Sequence, residues 1–443
     1  MMKRILIVSR STTLHFESGG MESHLKILAE GLAEQGCAVT VLTSALFKDE
    51  EVVKKDEQML ISGVNYYFIG ETDSGLNPLT PWEKLFIKFK LLPDPYSKRR
   101  SNKNFYAESV KVFEELNKAD QFDLVISQST GAYGFFSVIN KSLPMIVILH
   151  GSIFGELRTR FNSAKSLKNY FRLFVVDAPK WLLEFMFLQG MFLSKASRII
   201  VVSKSLQQSM IDELSRMPNA KNMLNIESTL KVINNGVDSD VFKPQMNKYS
   251  EFTCLYIGRI AVEKGVERIV EAAKQLKSDG FAASIKFKII GTGPDFDKLK
   301  LFAKDSGVLN DNVELLGQIK NSDLAEIYAK SHLFVFPTLR EEGHPVTFSE
   351  SMCSGLPYVS TKMGGLADLV VDGVNGYFVE NSMDLAQKIL MLYKDNKLLD
   401  TLSTNSRNMG LELYSKKAMI NKYLVQIDEV LQSVQEDFNS ETK

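Results

Sequence analysis

The sequence predicts an α/β protein made of two doubly wound domains, each built on a mainly parallel sheet. Three observations predict it. The 443 residues exceed the size at which one hydrophobic core keeps growing, so two cores are the default. Short β-branched runs alternate with longer helical patterns, which is how parallel strands joined by right-handed crossovers read in a sequence. The alternation then pauses at a turn-rich stretch, Asn234-Asn235-Gly236-Val237-Asp238 followed by Lys243-Pro244, and starts again. The predicted domains are therefore 1–244 and 245–414, with a last helix over 415–443 expected to pack back on the first domain.

In the first domain the apolar runs 5–8, 39–43, 124–127, 146–149 and 199–202 predict strands, and the amphipathic stretches 23–35 and 105–117 predict helices between them. The second domain reads as strand 253–257, helix 266–277, strand 286–290, helix 296–305 and strands 313–315, 333–336 and 358–360. From Met383 the chain turns mainly helical and ends in the amphipathic run 416–434. Two such domains leave a cleft where the carboxyl ends of both sheets meet, and open α/β sheets bind ligands there. The chemistry is expected in loops that follow strands.

Composition excludes several functions. Lys plus Arg and Asp plus Glu both total 53, so the zero net charge argues against nucleic-acid binding. The odd, scattered cysteines Cys37, Cys254 and Cys353 indicate neither a disulfide framework nor a zinc site, and fit a reducing cytoplasm. Lys3-Arg4 precede an apolar run too short for a signal peptide, and the greasy stretch 181–193 contains Glu184 and is too short to span a bilayer. No transmembrane anchor is expected.

The sharpest motif runs from Pro337 to Pro357, Pro-Thr-Leu-Arg-Glu-Glu-Gly-His-Pro-Val-Thr-Phe-Ser-Glu-Ser-Met-Cys-Ser-Gly-Leu-Pro. It follows an apolar strand and opens a helix, which places Glu342 in the loop and Glu350 about one turn into the helix. A helix N-terminus offers free N–H groups and a positive dipole to phosphate, and neighbouring carboxylates accept hydrogen bonds from sugar hydroxyls. A second motif, Gly258-Arg259-Ile260-Ala261-Val262-Glu263-Lys264-Gly265, again follows a strand. Its Arg259 offers a planar fork and its Lys264 a movable point charge, together enough to neutralise a diphosphate. Gly291-Thr292-Gly293-Pro294 looks like a dinucleotide fingerprint cut short, since Phe296 occupies the third glycine position. Ser18-Gly19-Gly20-Met21-Glu22 precedes the first helix, where glycines permit close backbone approach to a phosphate or an acceptor. His150 ends a strand expected in the middle of the first sheet; a lone histidine is more often structural, but a strand's carboxyl end is where ligands bind.

With Glu342 and Glu350 as its carboxylate pair, the sequence resembles the large retaining glycosyltransferase family of the GT-B fold that carries a Glu-x7-Glu signature, glycosyl transferases group 1 and glycosyltransferase family 4. The likeness is strongest over 231–379 and weaker over 52–124. It implies two Rossmann-like domains with an inter-domain cleft, and transfer of a sugar from a nucleotide-diphosphate donor to an acceptor hydroxyl with retention of anomeric configuration. It implies Glu342, His150, Arg259 and Lys264 at the reaction centre. It places Gly19, Gly20, Gly291, Ile319, Pro345, Val346, Thr347 and Glu350, with Arg259 and Lys264, around the donor. No metal and no cofactor are expected, and the reaction is a front-face one in which the departing phosphate helps deprotonate the acceptor. A saccharide or lipid-linked saccharide acceptor in bacterial surface polysaccharide or glycolipid synthesis follows by analogy. Two departures stand out: His344 replaces a common aromatic residue, which predicts a more polar bed under the sugar, and Asp368 stands where Glu is usual.

Between Trp82 and Asn104 apolar residues recur at helical spacing among seven Lys and Arg residues, which suits either a surface helix on an anionic membrane leaflet or a helix packed on the first domain. A cytoplasmic protein, at the inner face of the cell membrane on the first reading, is the expectation. The competing functions are a nucleotide-sugar epimerase or phosphorylase on the same architecture, and a non-catalytic nucleotide-sugar-binding subunit.

Overall fold

A computed structural model describes residues 2–15, 19–48, 51–54, 56–70, 96–140, 142–163, 190–215 and 226–441, with the isolated positions Phe171 and Val175. Most of the basic stretch 82–104 and of the greasy stretch 181–193 lies outside the described residues.

The N-terminal strands are β1 (Arg4–Val8), β2 (Ala38–Ser44), the hairpin β3 (Leu46–Lys48) and β4 (Glu51–Lys54), β5 (Glu57–Ile61), β6 (Val64–Ile69), β7 (Leu124–Gln128), β8 (Met145–Leu149), β9 (Arg198–Val201) and β10 (Leu230–Val232). Apart from the hairpin they form one eight-stranded sheet in the order β10-β9-β8-β7-β1-β2-β6-β5. All neighbours in it are parallel except the edge pair β5 and β6. Strands β1, β7 and β8 are almost continuously buried, because helices cover both faces of a parallel sheet. The main helices of this half are α1 (Gly20–Glu34), α2 (Tyr96–Ala119), α3 (Ile153–Ser163) and α4 (Lys204–Ser215).

The second sheet contains β11 (Phe252–Ile257), β12 (Ile285–Ile290), β13 (Val313–Gly317), β14 (Leu333–Phe336), β15 (Tyr358–Ser360) and β16 (Gly376–Phe378). It is parallel throughout, in the order β13-β12-β11-β14-β15-β16. Counted from β11 this is 3-2-1-4-5-6, the Rossmann order, with its switch point between β11 and β14. Helices α5 (Glu267–Ser278), α6 (Phe296–Asp305), α7 (Asn321–Lys330), α8 (Val346–Cys353), α9 (Ser382–Lys394) and α10 (Asn396–Leu413) complete this half.

The chain crosses between the halves twice, and the crossings run side by side. Val237 N–H donates to Tyr414 O at 2.9 Å and Lys416 N–H to Val237 O at 2.7 Å. The last helix, α11 (Lys416–Glu441), then lies against α1, and its Met419, Ile420, Tyr423, Ile427 and Val430 join the apolar layer formed by α1 and the inner face of the N-terminal sheet. Four strands of the two sheets were not anticipated from sequence: the edge pair β5 and β6, and β10 and β16, the last two each only three residues long. Edge strands alternate exposed and buried residues, and three-residue strands are too short to show a period.

Ile420 is 3% exposed in that layer. Ile420→Ala should cost roughly 2–5 kcal/mol in chemical denaturation, the usual effect of a large-to-small change in a core. A loss within experimental error would mean that α11 is dispensable to the N-terminal core.

Candidate functional site

The carboxyl ends of both sheets face one cleft of about 760 Å³. It lies at the switch point of the second sheet. Loops after β11 and β14 diverge on one wall; the start of α1 and the end of β8 form the other. Every residue singled out above for the reaction centre or the donor lines this cleft: Gly19, Gly20, His150, Arg259, Lys264, Gly291, Ile319, Glu342, Pro345, Val346, Thr347 and Glu350.

At its centre Lys264 Nζ donates to Glu342 Oε1 at 2.6 Å, with side chains only 16% and 11% exposed. Thr338 hydroxyl donates to the same carboxylate oxygen at 3.2 Å, and the Lys264 ammonium stands 5.4 Å above the Phe336 ring. A carboxylate this enclosed requires a cation beside it. Arg259, on the same loop as Lys264, is exposed and its guanidinium has no protein partner among the described residues. The loop that carries both cations packs closely: Gly291 has φ 132°, and a Cβ there would meet Gly258 O at 1.9 Å, so no other residue fits.

Helices α1 and α8 point their N-termini into the cleft from opposite walls, and neither has a side-chain cap, their cap positions being Gly19 and Pro345. Their first turns nearly touch, since a Cβ on Gly20 would lie 3.6 Å from Val346 Cγ2. Uncapped first-turn N–H groups are free for an anion. One turn into α8, Glu350 Oε2 accepts a hydrogen bond from the Tyr328 hydroxyl at 2.7 Å. Burial pushes this carboxyl up to about 7, against the opposing hydrogen bond from Tyr328.

On the N-terminal wall, burial takes the His150 imidazole down to about 4, so it is neutral at physiological pH. The loop after β14 approaches it so closely that a Cβ on Gly343 would meet His150 O at 2.3 Å. Only glycine allows the two walls to close to this spacing. His344 lines the cleft but departs from expectation. Its Nδ1 faces Asn234 Nδ2 at 3.2 Å and its Nε2 faces the Ser349 hydroxyl at 2.8 Å, while Phe348 and Tyr414 flank the ring. Both polar atoms are taken by the inter-domain hinge, so the ring braces the hinge and adds little polarity under a ligand. Asp368 is not part of the cleft wall; its Oδ2 accepts from Ser205 N–H at the start of α4.

Sequence reasoning did not find Tyr328, Gln128, or the ion pairs that join the two walls. Arg158 of α3 forks onto Glu341 at 2.9 and 3.0 Å, and Arg340 reaches Glu156 at 2.9 Å. The pairs leave no local signature, because each joins residues more than a hundred positions apart. Gln128 could have been found: it ends β7 as His150 follows β8. Among the described residues no group of three or more His, Cys, Asp or Glu is placed to hold a metal ion, and no helix is long and apolar enough to cross a membrane.

The sequence profile of glycosyltransferase family 4 matches residues 18–241, and that of glycosyl transferases group 1 matches residues 238–409. The chain belongs to glycosyltransferase family 4. The two matches overlap at 238–241, directly after the chain crossing at Val237. This transferase is 26% identical over 331 residues to an uncharacterised glycosyltransferase of Methanocaldococcus jannaschii, covering 74% of this chain and 81% of the relative. It is 27% identical over 309 residues to the UDP-Gal:α-D-GlcNAc-diphosphoundecaprenol α-1,3-galactosyltransferase of Escherichia coli, covering 66% of this chain and 72% of that one. Sucrose-phosphate synthase from Thermosynechococcus elongatus superposes with a TM-score of 0.70 at 17% identity, over 97% of this chain and 100% of the other, which shows the shared GT-B fold.

The elevated Glu350 carboxyl gives the transferase a pH signature. The folded chain holds this proton more tightly than the unfolded chain, whose value is the ordinary 4.5. Its stabilising effect is complete below 4.5 and is lost as pH rises through about 7. Glu350→Gln should therefore remove a pH-dependent loss of at most about 3 kcal/mol from the ligand-free stability profile. Denaturation midpoints measured from pH 4.5 to 8 check this, and parallel profiles for both proteins would refute the assignment.

Proposed function

We propose that this transferase moves a sugar from a nucleotide-diphosphate donor to an acceptor hydroxyl with retention of configuration, without a metal. The observation that carries the reading is the enclosed Lys264–Glu342 pair beside Arg259 and the uncapped start of α8. Two cations and free N–H groups converge where a leaving diphosphate would develop charge, which is the arrangement that stabilises an anionic leaving group. On binding, the diphosphate takes Lys264 as partner. Glu342 then faces the sugar with a carboxylate able to accept from its hydroxyls. Glu350, with Tyr328 on one oxygen, accepts from the hydroxyls of the donor; hydrogen bonds from them favour its ionised form. His150 closes the opposite side. No side chain is assigned as nucleophile: the departing phosphate takes the acceptor proton.

The acceptor is a saccharide or lipid-linked saccharide, and the process is surface polysaccharide or glycolipid assembly. The E. coli relative's own acceptor, a diphosphoundecaprenol-linked sugar, favours the lipid-linked form. We place the protein in the cytoplasm, at the inner face of the membrane through the basic stretch 82–104.

Thermal shifts with a panel of nucleotide sugars, then mass spectrometry and anomeric proton couplings of products made on lipid-linked acceptors, test the reaction. Glu342→Gln should slow transfer by two to three decades, about 2.7–4 kcal/mol, with the fold intact. Arg259→Ala and Lys264→Ala should weaken nucleoside-diphosphate binding as well as turnover, and EDTA should change nothing. Inverted product, wild-type turnover in Glu342→Gln, or loss of activity on chelation with recovery on adding magnesium would each overturn part of the reading.

Membrane contact is tested separately by sedimentation with vesicles. Anionic vesicles should bind in a salt-sensitive way, neutral ones weakly, and the combined replacement of Lys84, Lys88 and Lys90 by Glu should release the protein. Sedimentation that does not depend on vesicles and is unaltered by the charge reversals would remove the membrane from the account.

A further inference from the structure

Behind His150 lies a chain of buried polar side chains that reaches from the cleft to the last helix. Gln128 Nε2, at the end of β7, is 3.0 Å from His150 Nε2, 3.1 Å from His24 Nδ1 of α1 and 3.2 Å from Met21 O. The far nitrogen of His24, Nε2, is 3.2 Å from the hydroxyl of Tyr423 on α11. His24 and Tyr423 are fully buried, and the two imidazoles meet edge to face with centroids 4.9 Å apart.

Proton placement along this chain follows from donor and acceptor chemistry. The Met21 carbonyl needs a donor, so the amide nitrogen of Gln128, not its oxygen, faces this group. With one N–H on that carbonyl, the other is shared between the two imidazole nitrogens, and neither ring nitrogen can aim a hydrogen at an amide nitrogen that accepts none. His24 Nδ1 and His150 Nε2 are therefore both unprotonated. Each neutral ring then carries its proton on the other nitrogen. His24 Nε2–H donates to the Tyr423 oxygen, and His150 carries Nδ1–H. That atom has no protein partner among the described residues, and the ring lines the cleft.

We propose that Gln128 is a positioning residue that fixes His150 in the Nδ1–H tautomer, so that the cleft presents the sugar of the donor with a hydrogen-bond donor and not with a lone pair. The inference rests on the reading of the cleft as a nucleotide-sugar site. It makes His150 selective for an oxygen that can accept, and it ties that selectivity, through His24 and Tyr423, to the docking of α11. Because His24 and His150 are both held neutral by burial, the tautomer is set by the amide and not by titration near pH 7.

Histidine-selective 15N labelling tests the proposal, since two-bond nitrogen–proton correlations distinguish the two tautomers of a neutral ring. The chain has five histidines, and the His150 signals can be assigned by comparison with His150→Asn. Wild-type protein at pH 7.5 should show His150 as Nδ1–H and His24 as Nε2–H. Gln128→Leu should release His150 into a mixture of tautomers, and Gln128→Glu, which accepts where glutamine donates, should draw the proton to Nε2. In transfer assays Gln128→Leu should lower kcat/KM about tenfold, the scale of one hydrogen bond. A wild-type His150 protonated on Nε2, or an unaltered tautomer in folded Gln128→Leu, would overturn the proposal. The tautomers as stated, in a chain that transfers no sugar, would uphold the role of Gln128 and sink the transferase reading of the cleft.

Discussion

The enclosed carboxylate of Glu342 is the constraint on which the rest of the cleft depends. A negative charge only 11% exposed cannot stand alone, and Lys264 at 2.6 Å meets it. Removing one member of such a pair costs more than the pair contributes, because the survivor is left unpaired in a poor solvent. The strand order meets this requirement. Placing β11 beside β14 brings the loop of Lys264 against the loop of Glu342, although 78 residues separate them in sequence. The same juxtaposition leaves Arg259 and the start of α8 facing the same space. Charge balance brings the two loops of one wall together before any ligand arrives, and in the function proposed above a diphosphate enters by exchanging partners with Glu342.

The opposite wall is held at a set distance by contacts of unequal strength. Parallel chain crossings at Val237 and Ser415, braced by the buried hydrogen bonds of Asn235 and His344, form a hinge that cannot be altered without disturbing both cores. The pairs Arg158–Glu341 and Arg340–Glu156 sit at the mouth with their side chains about one-quarter to one-half exposed. Pairs of that kind contribute little each. The spacing of the walls therefore rests on the hinge and on the backbone approach of Gly343 to His150. The ion pairs at the mouth therefore resist opening less than the hinge does.

Much of this was legible in the sequence, for physical reasons that differ between residues. Parallel strands buried on both faces, such as β8, read as unbroken apolar runs, and motifs such as Gly258 to Gly265 sit at strand ends where topology puts loops together. What escaped was either short, as β16, or set by distance in space. His344 illustrates the second case. Its residue type suggested a polar bed under a sugar, but the polarity serves Ser349, five positions on, and Asn234, and nothing local to residue 344 announces a partner 110 positions away. Gln128 shared the strand-end position that drew attention to His150, but position alone does not say what its amide meets. Its meaning comes from Met21, His24 and His150, which the fold alone brings around one nitrogen atom.

The most direct measurement of the central claim is a crystal structure with the nucleotide sugar that gives the largest thermal shift. The account predicts the diphosphate between Arg259, Lys264 and the first N–H groups of α8, the Lys264 ammonium moved from Glu342 onto a phosphate oxygen, and Glu342 facing the sugar. A diphosphate bound elsewhere in the cleft, with the 2.6 Å pair intact, would contradict it.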